Sequence, residues 1–345
     1  NSPFGGQDVT VIGANAQVTW GLSATSVTSQ FLGDRATAVG AHATAAGPDT
    51  TAIGAYALAS GYGAVAVGTR ANAQRGGIAI GIGATAAENA TAISGAASGL
   101  RSLAIEGVAS GLESIAIGGR AEADYAIAVG DNARAEAVYA VTIGFGSSAT
   151  EYQATALGVG SGSRGVGSTA VGGYSAAVSQ FSTAAGYIAL ASGNQATAIG
   201  YSSRTFADEA AAFGSGATAN SLRSLAVGAG AQATGENASA IGYQAFAQGR
   251  NASAIGAGSE ASAEAALAFG PFSKARGVYS VAMGFQADAT DYQATAVGYQ
   301  AKARAGNSSA VGARSSATGL NSTAIGADAT TTHFGSTAIG AGTTT

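Results

Sequence analysis

One motif constrains the fold of this chain more than any other feature, an Ala-Ile/Val-Gly triplet whose glycine returns at fixed intervals. From Gly144 to Gly340, fifteen glycines follow one another at a spacing of 14 residues. The same register runs upstream from Gly40 to Gly130, where part of it tightens to 13 and 12 residues, and it gives 23 units in all. Self-similarity at a short fixed period is the signature of a repeat protein.

Residue types alternate with period two on both sides of this glycine, which we number position 0. Position −1 is large and apolar in 22 of 23 units, and position +3 is Ala or Ser until Thr343. Period-two alternation predicts β-strands, and glycine suits the turn between them because it adopts positive φ freely. The sequence therefore predicts an all-β solenoid of 14-residue coils, each with two short strands stacked in parallel on the next coil.

The alternation also divides the side chains between two faces. We expect the large residues at positions −3 and −1 to fill the interior, opposite small residues from the second strand. Position −2 would then point outward, and it is alanine in every unit except that of Thr142. A continuous apolar stripe is more than soluble monomers usually expose. The sequence therefore predicts a self-association face along this stripe, with members Ala156, Ala198, Ala240, Ala254, Ala296 and Ala324.

Composition narrows the function classes. Charged residues are 10% of the chain and the net charge is −4, so there is no electrostatic reason to bind nucleic acid or an anionic membrane. The absence of cysteine excludes disulfides, thiolate metal sites and cysteine nucleophiles. No apolar run is long enough to span a bilayer. The chain begins Asn1-Ser2-Pro3, and we expect it to be part of a longer protein.

Two regions follow from the fit to the repeat. Residues 34–345 are all β-roll, whereas residues 1–33 match poorly and contain the only tryptophan, Trp20. Within them, Ile12 and Gly13 resemble a degenerate unit. Solenoids need their terminal strands covered. We therefore interpret residues 1–33 as an N-terminal cap or as degenerate first coils.

The repeat resembles a known family. Residues 321–326 read Asn-Ser-Thr-Ala-Ile-Gly and residues 307–312 read Asn-Ser-Ser-Ala-Val-Gly. They are similar to the head repeat of YadA-like trimeric autotransporter adhesins, Asn-Ser-Val-Ala-Ile-Gly-x-x-Ser. Its trailing serine is matched by Ser259 and Ser315.

That resemblance implies a left-handed parallel β-roll, a homotrimer, and display on a Gram-negative bacterial surface with the outer-membrane anchor outside this chain. It implies attachment to matrix proteins, host cells or abiotic surfaces. The motif residues mark a possible ligand surface, comprising Asn251, Ser253, Ser259, Asn307, Ser309, Ser315, Asn321 and Ser322.

Several residues and motifs that could indicate a catalytic or binding site are explained by the repeat. Gly160–Gly165 has the spacing of a dinucleotide fingerprint, but the register leaves no room for the helix that motif requires. His42 and His333 are too far apart in the coil order to share a site, and we expect both to be exposed. We expect the aromatic residues that follow the glycine to stack on neighbouring coils, namely Phe145, Tyr187, Tyr201, Tyr243, Phe285 and Tyr299. We predict no cofactor, no metal site and no enzymatic activity.

The leading hypothesis is a non-enzymatic adhesin head whose many weak contacts add through multivalency. A purely structural fibre segment and an ice-binding solenoid are the alternatives. Ice binding would require regular outward threonines, and Thr44, Thr218, Thr234, Thr290 and Thr318 do not form an unbroken rank. An enzyme on a β-helix is disfavoured because the known left-handed and right-handed enzyme helices have other periods.

Overall fold

The computed structural model describes residues 8–19 and 35–345, and 47 short strands lie within them with no helix. The chain divides into two compact units, Asn1–Ser163 and Arg164–Thr345. All pairings between these strands are parallel. Thr51, for example, lies opposite Val65 on the next coil, and Thr197 lies opposite Ala211. Each unit is therefore a parallel β-solenoid, as the 14-residue period predicts.

Strands in the first unit are two to four residues long. They are Val9–Ile12 (β1), Gln17–Thr19 (β2), Ala36–Val39 (β3), Thr44–Ala46 (β4), Thr51–Ile53 (β5), Leu58–Ser60 (β6), Val65–Val67 (β7), Asn72–Ala73 (β8), Ile78–Ile80 (β9), Thr85–Ala86 (β10), Thr91–Ile93 (β11), Ala96–Ala97 (β12), Leu103–Ile105 (β13), Val108–Ala109 (β14), Ile115–Ile117 (β15), Arg120–Ala121 (β16), Ile127–Val129 (β17), Arg134–Ala135 (β18), Val141–Ile143 (β19), Ser148–Ala149 (β20), Thr155–Leu157 (β21) and Gly162–Ser163 (β22).

The second unit repeats the same two strand types without change of period. Its strands are Thr169–Val171 (β23), Ala176–Ala177 (β24), Thr183–Ala185 (β25), Leu190–Ala191 (β26), Thr197–Ile199 (β27), Arg204–Thr205 (β28), Ala211–Phe213 (β29), Thr218–Ala219 (β30), Leu225–Val227 (β31), Gln232–Ala233 (β32), Ser239–Ile241 (β33), Phe246–Ala247 (β34), Ser253–Ile255 (β35), Glu260–Ala261 (β36), Leu267–Phe269 (β37), Lys274–Ala275 (β38), Val281–Met283 (β39), Asp288–Ala289 (β40), Thr295–Val297 (β41), Lys302–Ala303 (β42), Ser309–Val311 (β43), Ser316–Ala317 (β44), Thr323–Ile325 (β45), Thr330–Thr331 (β46) and Thr337–Ile339 (β47).

In both units the odd-numbered strands form one sheet, sheet A, and the even-numbered strands form the other, sheet B. Sheet A carries positions −3 to −1, and sheet B carries positions +4 and +5 except in the shortened coils, where the strands β12, β14 and β16 lie two residues closer to position 0. A β-turn joins the sheets at each edge, and its third residue is left-handed, as at Gly216 (φ +66°) and Arg223 (φ +55°). The turns close with bonds such as that from the Ala217 N–H to the Gly214 carbonyl, at 3.2 Å. Fourteen residues therefore suffice for one coil.

Among the described residues, the buried side chains of the interior are all small, namely Ala, Ser and Thr. Alanine at position −2 is fully buried, as at Ala198 and Ala240, and so is the alanine of each sheet B strand, as at Ala275. Small buried residues also occupy the ends of the two turns, as at Ala210 and Ala217. The two backbones lie too close for larger side chains to fit between them.

This arrangement overturns the predicted orientation of the first strand. The large residues at position −1 are exposed or half-exposed, as at Ile199 and Phe269, and position −3 is half-buried on the same outer face. The proposed association stripe is therefore wrong, because its alanines have no exposed surface in the isolated chain and cannot contact another one. All of its members, Ala156, Ala198, Ala240, Ala254, Ala296 and Ala324, are 0% exposed.

Part of the N-terminal region is a coil of the roll. Strand β1 pairs with β3, with Val9 opposite Ala36, and β2 pairs with β4, with Gln17 opposite Thr44. Gly13 adopts φ +130°, the conformation of the repeat glycines. Residues 1–7 and 20–34 lie outside the described residues, so the capping role of residues 1–33 stays a prediction.

Candidate functional site

Serines of the repeat motif serve the interior of the roll. The Oγ atoms of Ser259 and Ser315 donate to the carbonyls of Gly256 and Gly312, at 2.8 and 2.9 Å. Both serines are buried, and their bonds satisfy turn carbonyls that face the interior. Ser322 is also buried, and its Oγ accepts from Thr331 Oγ1 at 3.0 Å. These three members of the predicted ligand surface are inaccessible, and that part of the prediction is wrong.

The asparagines of the motif are accessible. Asn251, Asn307 and Asn321 lie in the left-handed position of the turn that leads into sheet A, with φ between +54° and +58°. Asn307 Nδ2 donates to Asn321 Oδ1 at 2.9 Å, which links adjacent coils. Asparagine tolerates this backbone better than most residues, so the turn alone explains its recurrence. Ser253 and Ser309 are half-buried on the outer face of sheet A. The role of these two serines and of the three asparagines as ligand contacts stays a prediction.

Outer faces of the two sheets differ in chemistry. On sheet A, positions −3 and −1 carry only Thr, Ser, Ala and larger apolar side chains throughout residues 35–345. Ile53 and Ile143 in the first unit and Phe269 and Met283 in the second are between 39% and 49% exposed. On sheet B, the outward positions +4 and +6 carry many polar and charged side chains. Each unit therefore has one apolar, uncharged face and one polar face.

The sequence contained a signal for this apolar face. The size of the side chain at position −1 varies from Ala185 to Phe213 and Phe269, whereas position −2 is alanine in every repeat except that of Thr142. Close-packed interiors restrict volume more strictly than hydrophobicity. The restricted position therefore marks the inside, and the variable one marks the exposed face that sequence reasoning missed.

Ion pairs join successive coils at the turns. Arg314 Nε and Nη2 donate to the two carboxylate oxygens of Asp328, both at 2.7 Å. These hydrogen bonds lower the pKa of Asp328 and raise the pKa of Arg314, and both side chains stay exposed to solvent. On sheet B, the bonds that Arg276 donates to Glu260 raise the pKa of Arg276. Exposed pairs of this kind contribute little stability singly.

Aromatic side chains stack along the turns, which confirms the expectation for two pairs. The rings of Tyr187 and Tyr201 lie 6.0 Å apart at 9°, and those of Phe285 and Tyr299 lie 5.6 Å apart at 9°. His42 is exposed and stacks on Tyr56 at 4.8 Å. His333 is exposed as predicted, and its Nδ1 lies 3.0 Å from Thr332 Oγ1.

Residues with possible catalytic or metal chemistry are not brought together. In the described ranges there is no group of three or more His, Asp or Glu side chains that could hold a metal ion. Gly160 is in a left-handed turn (φ +63°) and is followed by the buried Ser161, so the glycine-rich segment is an ordinary coil. Residues 8–19 and 35–345 also contain no helix long and apolar enough to cross a membrane.

A comparison with family models identifies the repeat, while no curated protein matches the chain. The model described as the YadA head domain repeat (2 copies) matches most of the sequence. The matched segments are residues 32–57, 59–75, 109–124, 121–147, 149–175, 177–203, 207–231, 233–259, 261–287, 289–315 and 317–343. Most of them span two coils, and the unmatched residues 76–108 include shortened coils. The chain therefore belongs to the YadA head domain repeat family.

Proposed function

We propose that this chain is the head of a non-enzymatic adhesin that works as a homotrimer on the bacterial surface. Membership of the YadA head family supports an adhesin-like role. The observation that carries the assembly is the apolar outer face of sheet A, which has no charged residue over residues 35–345. Three left-handed rolls packed through this face would cover it, while the polar face of sheet B would stay in water.

The exposed side chains on this face are of the kind that protein interfaces cover. In the second unit, Ile199, Phe213, Phe269 and Met283 are each between 37% and 49% exposed and lie in the same outward column. Soluble monomers rarely leave a contiguous apolar patch of this extent in water. Association of three copies through one shared surface follows the rotational symmetry usual for homo-oligomers.

Attachment would follow from repetition. Each coil offers a similar small set of exposed turn and sheet B side chains, so a single contact is weak, and binding strengthens when many engage together. Matrix proteins, host-cell surfaces and abiotic surfaces are the proposed targets, and an outer-membrane anchor would be supplied by regions outside this sequence. Nucleic acid and membrane lipid are not proposed as partners.

The assembly is tested with variants on the two outer faces. Ile199→Asp combined with Phe213→Asp places charges in the proposed interface, while Thr218→Asp places one on sheet B as the matched control. Light scattering should give three times the 32.8 kDa chain mass for the wild type and the control, and a lower mass for the double variant. A monomeric wild type, or a trimeric double variant, would contradict this assembly.

Adhesion is tested by binding the purified trimer in parallel to collagen, fibronectin, laminin, host cells and plastic. Binding to at least one surface, lost on dissociation of the trimer, supports the adhesin. Binding to none of them would favour a purely structural fibre segment. Ice binding gains no support, because the outward threonines Thr169, Thr183 and Thr197 are followed by Ala211 and Leu225 in the same column.

A further inference from the structure

The outer face of sheet B carries a cationic patch in the second unit. Both lysines of the chain, Lys274 and Lys302, occupy position +4 there, and Arg276 and Arg304 occupy position +6 of the same coils. Two carboxylates, Glu260 and Asp288, lie in the +4 column with the lysines, so the patch has four cations against two anions. The outward residues on either side are uncharged, namely Phe246 and Gln248 before it and Ser316 and Thr318 after it. We call these six charged residues the sheet B patch.

Within the sheet B patch, the two arginines form the ion pairs with the two carboxylates. Arg276 donates to both oxygens of Glu260, at 3.1 and 3.3 Å, and its Nη1 lies 4.0 Å from Asp288. Arg304 Nη2 lies 3.4 Å from the other oxygen of Asp288. Neither lysine ammonium lies within 4.0 Å of a carboxylate, as far as the described residues go. The net charge of +2 is therefore carried by two ammonium groups that are free to pair with an external anion.

The dimensions of the patch favour a narrow, extended polyanion. Coils stack about 4.8 Å apart, so Lys274 and Lys302, two coils apart, are separated by about 10 Å along the sheet. Each strand is two residues long, and the outward columns +4 and +6 are about 7 Å apart. A single polymer chain covers this width, whereas a nucleic-acid duplex would extend over the turns on both sides.

We propose that the sheet B patch binds a linear sulfated polysaccharide lying along the stacked coils. Sulfate groups would pair with Lys274 and Lys302, since an ammonium is a compact charge without directional preference. The hydroxyls of Ser262 and Thr290 occupy position +6 in the coils that alternate with those of Arg276 and Arg304, and both residues are half-exposed, so they can bond to sugar hydroxyls. This inference rests on the proposed adhesive function, because it names one class of ligand for the same head.

The experiment measures binding of the full chain to immobilised heparin by surface plasmon resonance. For Lys274→Gln with Lys302→Gln, we expect affinity to fall at least about tenfold, because both ammonium groups that face the polyanion are removed together. The matched control is Arg134→Gln with Arg204→Gln, which removes two cations from the same +4 position outside the patch. It should bind like the wild type. Glu260→Gln removes an anion from the patch and should strengthen binding.

Other ligands separate the possible outcomes. Wild-type binding should weaken with added salt, and uncharged dextran should not compete. The proposal is overturned if the lysine variant binds heparin like the wild type, if the control loses as much affinity, or if duplex DNA binds more tightly than heparin. Binding to matrix proteins or cells without binding to heparin would overturn this inference and leave the adhesin intact. A wild-type chain that does not form a trimer would, in contrast, count against the proposed function.

Discussion

At the scale of single residues, side-chain volume decides which positions face the interior. Position −2 is alanine and fully buried, while the larger Ile199 beside Ala198 points outward with 40% of its surface exposed. Strict alternation in the sequence reveals two faces but does not say which is inside. Ranking residues by hydrophobicity alone assigns the larger ones to the core, which is the wrong choice in a roll this thin.

Enlarging an interior alanine tests this assignment. Ala198→Leu places three extra carbons between two closely spaced backbones and should cost about 1–3 kcal/mol of unfolding free energy. The control, Leu190→Ala, shortens an outward side chain on sheet B and should cost less than about 1 kcal/mol. Chemical denaturation followed by circular dichroism measures both. Equal costs would show that Ala198 is not in the interior.

Buried hydroxyls are the other residue-scale feature. Thr142 occupies position −2, which is alanine in all the other repeats. Its Oγ1 forms a short hydrogen bond with Ser147 Oγ. The only position −2 that departs from alanine is therefore matched by a polar neighbour across the interior. This agrees with the rule that buried polar groups are hydrogen-bonded.

At the scale of strands and turns, the glycine at position 0 is fixed by its neighbour in the next coil. Gly214 has φ +130°, and a Cβ there would lie 2.7 Å from the Gly228 carbonyl oxygen. Gly216, two residues later, has φ +66° and open space around it. Other coils place Asn, Gln, Tyr or Arg in that second conformation. The two glycines therefore differ in what they tolerate.

Substitution of these two glycines should change the unfolding free energy by different amounts. Gly214→Ala should lower the unfolding free energy by at least about 2 kcal/mol, because backbone strain and a clash with the next coil combine. Gly216→Asn should change it by less than about 1 kcal/mol, since asparagine accepts the left-handed conformation. Thermal melting of the two variants checks this. A tolerated Gly214→Ala would mean that the coils can separate locally at no cost.

The shortened coils show why two of the repeats have no glycine at position 0. At Ser94 and Glu106 the connection from sheet A to sheet B lacks two residues, and φ at the register position falls to +51° and +52°. Non-glycine residues can adopt that value, whereas they rarely adopt +130°. The spacing of 12 in the sequence locates these coils, but the change of turn conformation was not predictable from spacing.

Ion pairs between turns predict a measurable titration. Asp328 has a lowered pKa because Arg314 donates two hydrogen bonds to its carboxylate. A lowered pKa in the folded state means that this pair stabilises the fold above the ordinary carboxyl pKa and ceases to do so as pH falls through the lowered value. In Arg314→Gln, the pKa of Asp328 should return toward its ordinary value, as measured by NMR titration. An unchanged pKa would show that the pair does not persist in solution.

At the scale of the whole molecule, the period predicted more than the composition did. The all-β class, the parallel stacking and the two-strand coil follow from fifteen glycines spaced by 14, and the structure confirms them within its described residues. The surfaces could not be predicted equally well. The apolar face depends on which way Ala198 points, and the sheet B patch depends on Arg276 and Arg304 taking the carboxylates of Glu260 and Asp288 from the lysines. Neither outcome is encoded in spacing.

The same modular construction yields the last prediction, which concerns whole coils of the second unit. Each coil pairs its strands only with those of the coils before and after it, as β31 does with β29 and β33. Stability in such a fold is close to a sum of coil and neighbour terms. Deleting residues 229–242 joins Gly228 to Tyr243 and removes one coil while every later residue keeps its orientation. This variant should fold and melt within a few degrees of the parent.

Deleting residues 229–241 is the matched control, because it removes one residue fewer. This deletion leaves a spacing of 15 residues from Gly228 to Gly256, whereas the spacings from Gly40 to Gly340 are all 12 to 14. The next strand must then shift by one residue to keep its turns, and such a shift turns its side chains to the opposite face. Large residues such as Ile255 would then point between the sheets, and alanines would face water. We expect aggregation or a much lower melting temperature for this variant, measured by circular dichroism and light scattering. If the two deletions behave alike, the coils are not the independent stacking units that the 14-residue period defines.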